Sequence, residues 1–279
     1  MERRWLGTLL GATALFAVGV PACGGAAASP SPSWLYGEVH VHEFSGGVHP
    51  GALFVARPVA ASATSGDSLF PPATTMQSGS CSLTLSSPET NAPLPGPIAG
   101  GLADAGLVRI AGGRGIAEVD LAVQLPEGSY LPTSRLPPGQ PIFTGGETLR
   151  ISGGGGAGAA AFAGSLAAPR PLTLTAPATL ALADGADLPI AWVADHASRV
   201  TATLVVSTSD GRWAIIECDS PDEAGRVALP AALLAAVPAA PRDLQLEVSR
   251  DELAVAAGPS DTGVLIHAGY EASLDAHEP

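Results

Sequence analysis

The chain has 279 residues, a formal net charge of −13 and an apolar share of 46%, which is enough to build a core in one large or two small domains. Its 13 basic residues are all arginine, so mechanisms that need a lysine, such as a Schiff base or a P-loop, are excluded. The excess negative charge repels phosphate backbones, and we therefore expect no nucleic-acid partner.

Glycine and proline set the expected class of fold. The chain contains 34 glycines and 26 prolines but only 14% charged residues. This composition favours turns over long helices, while the Val, Leu and Ile runs offer faces that a folded protein can bury. We expect an all-β fold of one or two β-sandwich-like lobes.

Residues 1–22 have the pattern of a secretory signal peptide. A short n-region with Arg3 and Arg4 precedes an apolar stretch from Trp5 to Val20, and Pro21 follows at once. The apolar stretch is shorter than the roughly 20 residues of a spanning helix. An uncleaved membrane anchor and twin-arginine export remain alternatives to ordinary secretion.

The residues Val20-Pro21-Ala22-Cys23 resemble the lipobox of bacterial lipoproteins. The resemblance implies a lipid on Cys23, cleavage before it, and a chain anchored in the outer membrane or at the cell surface. Residues 23–33 then form the lipid attachment and a Ser/Pro linker. The alternative is cleavage after Ala26–Ala28, which removes Cys23 with the signal peptide.

The two remaining cysteines, Cys81 and Cys218, form an even pair in an exported chain. In an oxidising compartment such a pair is expected to form a disulfide. Two unpaired buried thiols are the alternative, because spacing alone does not prove contact.

Residues 34–152 are expected to form an N-terminal β-rich lobe with long loops, followed by a Gly/Ala-rich connector at 153–168. The candidate strands of this lobe are Glu38–Phe44, Ala52–Ala56, Cys81–Leu85, Leu107–Ala111, Ile116–Val123 and Thr148–Ser152.

Residues 169–279 are expected to form a C-terminal β-sandwich with one short helix near 230–237. The acidic pairs Asp222-Glu223 and Asp251-Glu252 are expected at solvated turns. The pattern resembles immunoglobulin-like or fibronectin-like sandwiches, with Trp192 as the candidate core aromatic. The candidate strands are Leu172–Thr175, Leu188–Val193, Val200–Thr208, Trp213–Cys218, Arg226–Leu229, Leu244–Val248, Leu253–Ala257 and Gly263–Tyr270.

The densest group of potential metal ligands is Glu38, His40 and His42, with His49 seven residues further on. In a strand the first three share one face, so two imidazoles and a carboxylate could bind a divalent metal. The alternative is the solvated face of a half-buried strand, which shows the same alternation.

Other motifs give weaker indications of chemistry. The run Gly153–Gly158 matches the dinucleotide pattern G-x-G-x-x-G, but the first acidic residue after it is Asp184, which is too distant for the ribose contact. A G-x-S-x-G nucleophile elbow is absent from the sequence. We expect neither a cofactor nor catalysis.

Taken together, the chain resembles exported bacterial lipoproteins with β-sandwich bodies. The expected function is that of an envelope-anchored lipoprotein whose body is non-catalytic and binds or supports an envelope protein or glycan. The alternative is a secreted enzyme or metal-binding protein that uses the face of Glu38, His40 and His42.

Overall fold

The computed structural model describes residues 34–44, 47–57, 74–86, 103–124, 129–156, 159–258 and 262–278. The predictions for residues 1–33, including the lipid on Cys23, lie outside these ranges. The described residues belong to one compact unit. Within the described ranges, no helix has the length and apolar character needed to cross a membrane.

The described residues form an all-β protein, as the composition predicted. The single α-helix there is α1 (Ala231–Leu234), inside the predicted 230–237 segment, and it buries Leu233 and Leu234. The strands are β1 (Trp34–Phe44), β2 (Gly47–Arg57), β3 (Thr74–Ser78), β4 (Cys81–Ser86), β5 (Val108–Ala111), β6 (Glu118–Gln124), β7 (Ser129–Pro132), β8 (Thr148–Gly153), β9 (Phe162–Ala167), β10 (Leu174–Ala176), β11 (Leu188–Trp192), β12 (Arg199–Ser207), β13 (Trp213–Ser220), β14 (Arg226–Leu229), β15 (Arg242–Ala256) and β16 (Thr262–Glu278).

Thirteen of these strands form one sheet, and β10, β11 and β14 form a second. Strands β15 and β16 are antiparallel neighbours in the large sheet, and β1 pairs with β16 in parallel. The strand order of the large sheet is β3-β4-β13-β12-β15-β16-β1-β2-β7-β6-β5-β8-β9.

The small sheet packs against one end of the large sheet to give a sandwich-like arrangement. Ile190 and Leu229 of the small sheet share a core with Leu204 and Ile216 of the large one. Trp192 belongs to this core and is 4% exposed, as predicted for the core aromatic. Along β12, buried and half-buried residues alternate strictly, which is the period expected of a strand with one buried face.

A second core fills the space enclosed by the other strands of the large sheet. This part of the sheet curls until its edge strand β9 reaches the end of β15, where Ala163 and Ala257 exchange two backbone hydrogen bonds of 3.0 and 2.8 Å. Phe54, Phe143 and Ile266 are among the buried residues of this core. The segment expected as a Gly/Ala connector therefore contains a strand, β9.

The predicted disulfide is present. Cys81 of β4 and Cys218 of β13 lie directly opposite each other in the strand register and are bonded through their sulfurs. Both are buried, at 5% and 0% exposure. The bond ties residues 137 positions apart across two neighbouring strands.

Strand β15 runs unbroken through residues where the sequence suggested two strands and a turn. Asp251, expected at a solvated turn, is only 1% exposed and pairs in register with Arg199 of β12 and Gly269 of β16. The expectation was wrong because charge alone does not break a strand when both of its edges are paired and the charge has partners.

Asp222, the other acidic residue expected at a solvated turn, is 1% exposed at the start of a 3₁₀ turn (Asp222–Ala224). Its carboxylate accepts hydrogen bonds from Nε and Nη2 of Arg250, at 3.1 and 3.0 Å, and from the indole of Trp192 at 2.9 Å. Arg250 also donates to the carbonyls of Pro171 and Val193. The buried ion pair thus joins β15 to the loops of the small sheet.

Removing the disulfide in the double variant Cys81→Ala/Cys218→Ala should lower the free energy of unfolding by about 2–5 kcal/mol, because the closed loop restricts the unfolded chain. Urea denaturation of the two proteins measures this loss. Adding reductant should bring the parent toward the variant while leaving the variant unchanged. Equal midpoints in oxidising buffer would contradict the prediction.

Replacing the buried carboxylate in Asp222→Ala leaves the charge of Arg250 without its partner and should cost about 3–5 kcal/mol of unfolding free energy. The matched control is Asp210→Ala, which removes an exposed partner of Arg212. Thermal or urea denaturation should show a large shift for Asp222→Ala and a much smaller one for the control, whose hydrogen bonds are exposed to solvent. Equal shifts for the two variants would remove the structural role given to this pair.

Candidate functional site

Three neighbouring strands bring a carboxylate and two imidazoles together on the polar face of the large sheet. Val39 and Val41 of β1 point into the core, so His40 and His42 lie on the opposite face. His42 of β1 is level with Gly269 of β16, which is level with Asp251 of β15.

Gly269 allows these side chains to approach one another across the middle strand. A Cβ at this position would lie 2.4 Å from Oδ1 of Asp251 and 3.5 Å from Cε1 of His42. The contact with Asp251 requires the space that glycine leaves, whereas the contact with His42 has an ordinary van der Waals separation. The side chains of His42 and Asp251 therefore lean over β16 from its two sides.

His267 lies two residues before Gly269, on the same face, and contacts both neighbours. Its Nε2 is 2.8 Å from Oδ1 of Asp251, and its Nδ1 is 3.4 Å from Nε2 of His42. The rings of His42 and His267 are nearly perpendicular, with centroids 4.6 Å apart. We call His42, Asp251 and His267 the His–Asp–His cluster.

The second carboxylate oxygen of Asp251, Oδ2, also has interaction partners. Oγ of Ser249 donates a hydrogen bond of 2.7 Å to Oδ2, and Nε of Arg199 lies 3.9 Å from the same oxygen. Burial raises the pKa of Asp251, but its interactions with His267 and His42 outweigh burial and keep the pKa below its usual value. The carboxyl is therefore ionised at neutral pH although it is buried.

The surroundings of the cluster are acidic. Oε2 of Glu271 lies 4.0 Å from Nδ1 of His42, which is the most exposed cluster residue, with 23% of its side chain accessible. Burial, together with repulsion from Glu271 and Asp275, raises the pKa of Glu247, and His42 partly offsets this effect. The negative charge on this face favours the approach of cations.

The residues predicted from sequence as metal ligands are only partly brought together. His40 shares the face of His42, with ring centroids 5.9 Å apart, but its ring lies over Gly51 of β2, where a Cβ would be 2.6 Å from Nε2. The side chains of Glu38 and His49 lie outside what the structure describes. Binding by Glu38, His40 and His42 therefore stays a prediction.

Asp251 and His267 were not expected in this site. Each is separated from His42 by more than 200 residues, and no local motif surrounds them. Strand register is the signal that places them: β16 beside β1, and β15 beside β16. Nothing in the local sequence indicates that pairing.

Two other features lie further along the same strands. His277 and Asp243 form a second imidazole–carboxylate pair, with Nδ1 and Oδ1 2.7 Å apart, but both are largely exposed. A shallow groove with a volume of about 460 Å³ lies beside that pair, bordered by residues of β12, β15 and β16 such as Ser207 and Gln245. Asp243 and Asp251 are eight positions apart along β15.

Comparisons with protein-family models, with curated proteins and with solved structures find no match for this chain.

Gly269→Ala should displace the Asp251 carboxylate and destabilise the fold by about 1–3 kcal/mol, the usual cost of forcing extra atoms into a packed site. Gly263→Ala is the matched control, because it lies on the same strand and its Cβ would meet no atom within 4 Å. Thermal denaturation of both variants measures the difference. Equal stability of the two variants would show that Gly269 is not required for the close approach.

Proposed function

We propose that this protein is an exported lipoprotein, anchored in the cell envelope through a lipid on Cys23, whose β-sandwich body binds or supports an envelope protein or glycan without catalysing a reaction. The disulfide carries the proposal. Buried disulfides are characteristic of oxidising compartments outside the cytoplasm. A chain with this bond and a signal-like first segment is suited to the envelope.

The disulfide also bears on the lipid. The chain has three cysteines, and Cys81 and Cys218 are bonded to each other. Cys23 is then the cysteine that remains for acylation, at the position where the lipobox resemblance places it. Multiple acyl chains give stable anchoring, whereas a single chain binds reversibly.

The form of the body suits a binding or supporting role. A large sheet with a half-buried polar face offers a broad surface, and the second sheet and the disulfide hold this surface in a fixed form. The acidic side chains along the face favour a partner that carries basic or hydroxyl groups. Fold class alone does not select that partner.

A secreted metal-binding protein or metalloenzyme is the second candidate. The sequence suggested it from Glu38, His40 and His42, and the observation that favours it is the close approach of His42 to His267 and Asp251. A purely structural envelope component is the simpler alternative to both candidates.

The anchor is tested by expressing the full chain and Cys23→Ser with a labelled fatty acid. The parent should carry label and sediment with membranes, while Cys23→Ser should be unlabelled and soluble. Cys81→Ala/Cys218→Ala is the control and should remain labelled.

The mass of the mature N-terminus separates the two processing routes. A lipidated Cys23 as first residue supports the anchor, whereas a first residue Ser29 supports cleavage after Ala26–Ala28. Recovery of Cys23→Ser in the membrane fraction to the same extent as the parent would contradict lipid anchoring.

A further inference from the structure

We infer that His42, Asp251 and His267 bind one divalent first-row transition-metal ion, such as Zn²⁺, on the polar face of the large sheet. The site draws one ligand from each of three adjacent strands, β1, β15 and β16. The inference stands apart from the lipid anchor, because it depends only on contacts between described residues.

The three ligand atoms lie close enough for side-chain movement to bring them around one metal ion. One ligand atom from each of the three residues lies within 4.8 Å of those of the other two. An ion bonded to all three at about 2.0–2.2 Å in tetrahedral geometry requires these atoms to lie about 3.4 Å from one another. A pair at the 4.8 Å limit must therefore close by about 1.4 Å. His42, the most accessible of the three, can supply this movement by rotation of its side chain.

The contact between Asp251 and His267 also supports a metal site. Oδ1 of Asp251 and Nε2 of His267 lie 2.8 Å apart. Two atoms bonded to the same metal ion at about 2.0–2.2 Å can lie at this separation. A metal ion bound by both atoms would keep the buried oxygen beside a positive charge, as its contact with His267 does without the ion.

The ligand types select the class of ion. Two imidazoles and one carboxylate suit Zn²⁺ and the neighbouring transition metals, whereas Ca²⁺ and Mg²⁺ prefer sites made of oxygen alone. Three protein ligands leave at least one coordination position for water or for a group from a bound partner. The accessible side of His42 places that position toward solvent.

Neighbouring side chains surround the proposed ligands, as is usual around protein metal sites. Ser249 hydrogen-bonds Oδ2 of Asp251 and so leaves Oδ1 for the ion. Nε2 of His42 faces the cluster, 3.4 Å from Nδ1 of His267, while Nδ1 of His42 lies 4.0 Å from Oε2 of Glu271. The nearby carboxylate of Glu271 adds attraction for a cation.

The test is zinc titration of the full chain, purified without a polyhistidine tag and stripped with a chelator. Calorimetry should show one Zn²⁺ per chain, and Co²⁺ should give visible absorption bands typical of a site with nitrogen ligands. His42→Ala, His267→Ala and Asp251→Asn should each weaken binding by at least about 100-fold, and Ser249→Ala by about 10–100-fold.

His277→Ala and His40→Ala are the matched controls and should retain the affinity of the parent. The first removes an imidazole with a carboxylate partner on the same face, and the second removes the histidine that sequence alone assigned to the site. His42 is partly exposed, so His42→Ala tests the inference even if the buried variants fail to fold.

Two results would overturn the inference. One is a parent chain that binds Zn²⁺ no more tightly than His42→Ala. The other is loss of binding in His40→Ala with retention in a folded His267→Ala, which would move the site to Glu38, His40 and His42. Neither result bears on Cys23, so the metal site and the lipid anchor can fail separately.

Discussion

The buried ion pair between Arg250 and Asp222 is the interaction on which the arrangement of the protein depends. Arg250 is only 2% exposed, and its guanidinium donates hydrogen bonds to Asp222 and to a carbonyl in the loops beside the small sheet. The next residue, Asp251, points to the opposite face because strand side chains alternate. One strand therefore carries a buried cation on one face and a buried anion on the other, and both must be partnered at once.

These adjacent charges lie where β15 and β16 pass from one hydrophobic core to the other. Leu246 and Val248 belong to the core beneath the small sheet, whereas Ala256 and Ile266 belong to the core enclosed by the curled part of the large sheet. The junction between the cores is occupied by polar side chains that pair with one another. The His–Asp–His cluster is built on the opposite face of this junction, where the rigid backbone on either side fixes its ligands.

Much of the fold could be predicted from local pattern, and most of the cluster could not. Period-2 alternation identified β12 and β13, and the even number of cysteines beyond Cys23 indicated the disulfide. The alternation of Val39 and Val41 placed His42 on a polar face. Asp251 was misplaced because an acidic pair usually marks a turn, and only the pairing of β15 with two neighbours overrides that preference. His267 could not be assigned, since its partners are brought to it by strand register.

The parallel pairing of β1 with β16 determines how the folded body resists a mechanical force applied to these two strands. Ten residue pairs, from Leu35 with Thr262 to Phe44 with Glu271, connect the two strands in the same direction. A force that enters at residue 34 and is opposed at residue 278 acts along the strands, so these backbone hydrogen bonds are loaded in shear and must break together. A tether at the first strand would thus transmit tension into the most strongly connected part of the sheet rather than peel it from an edge.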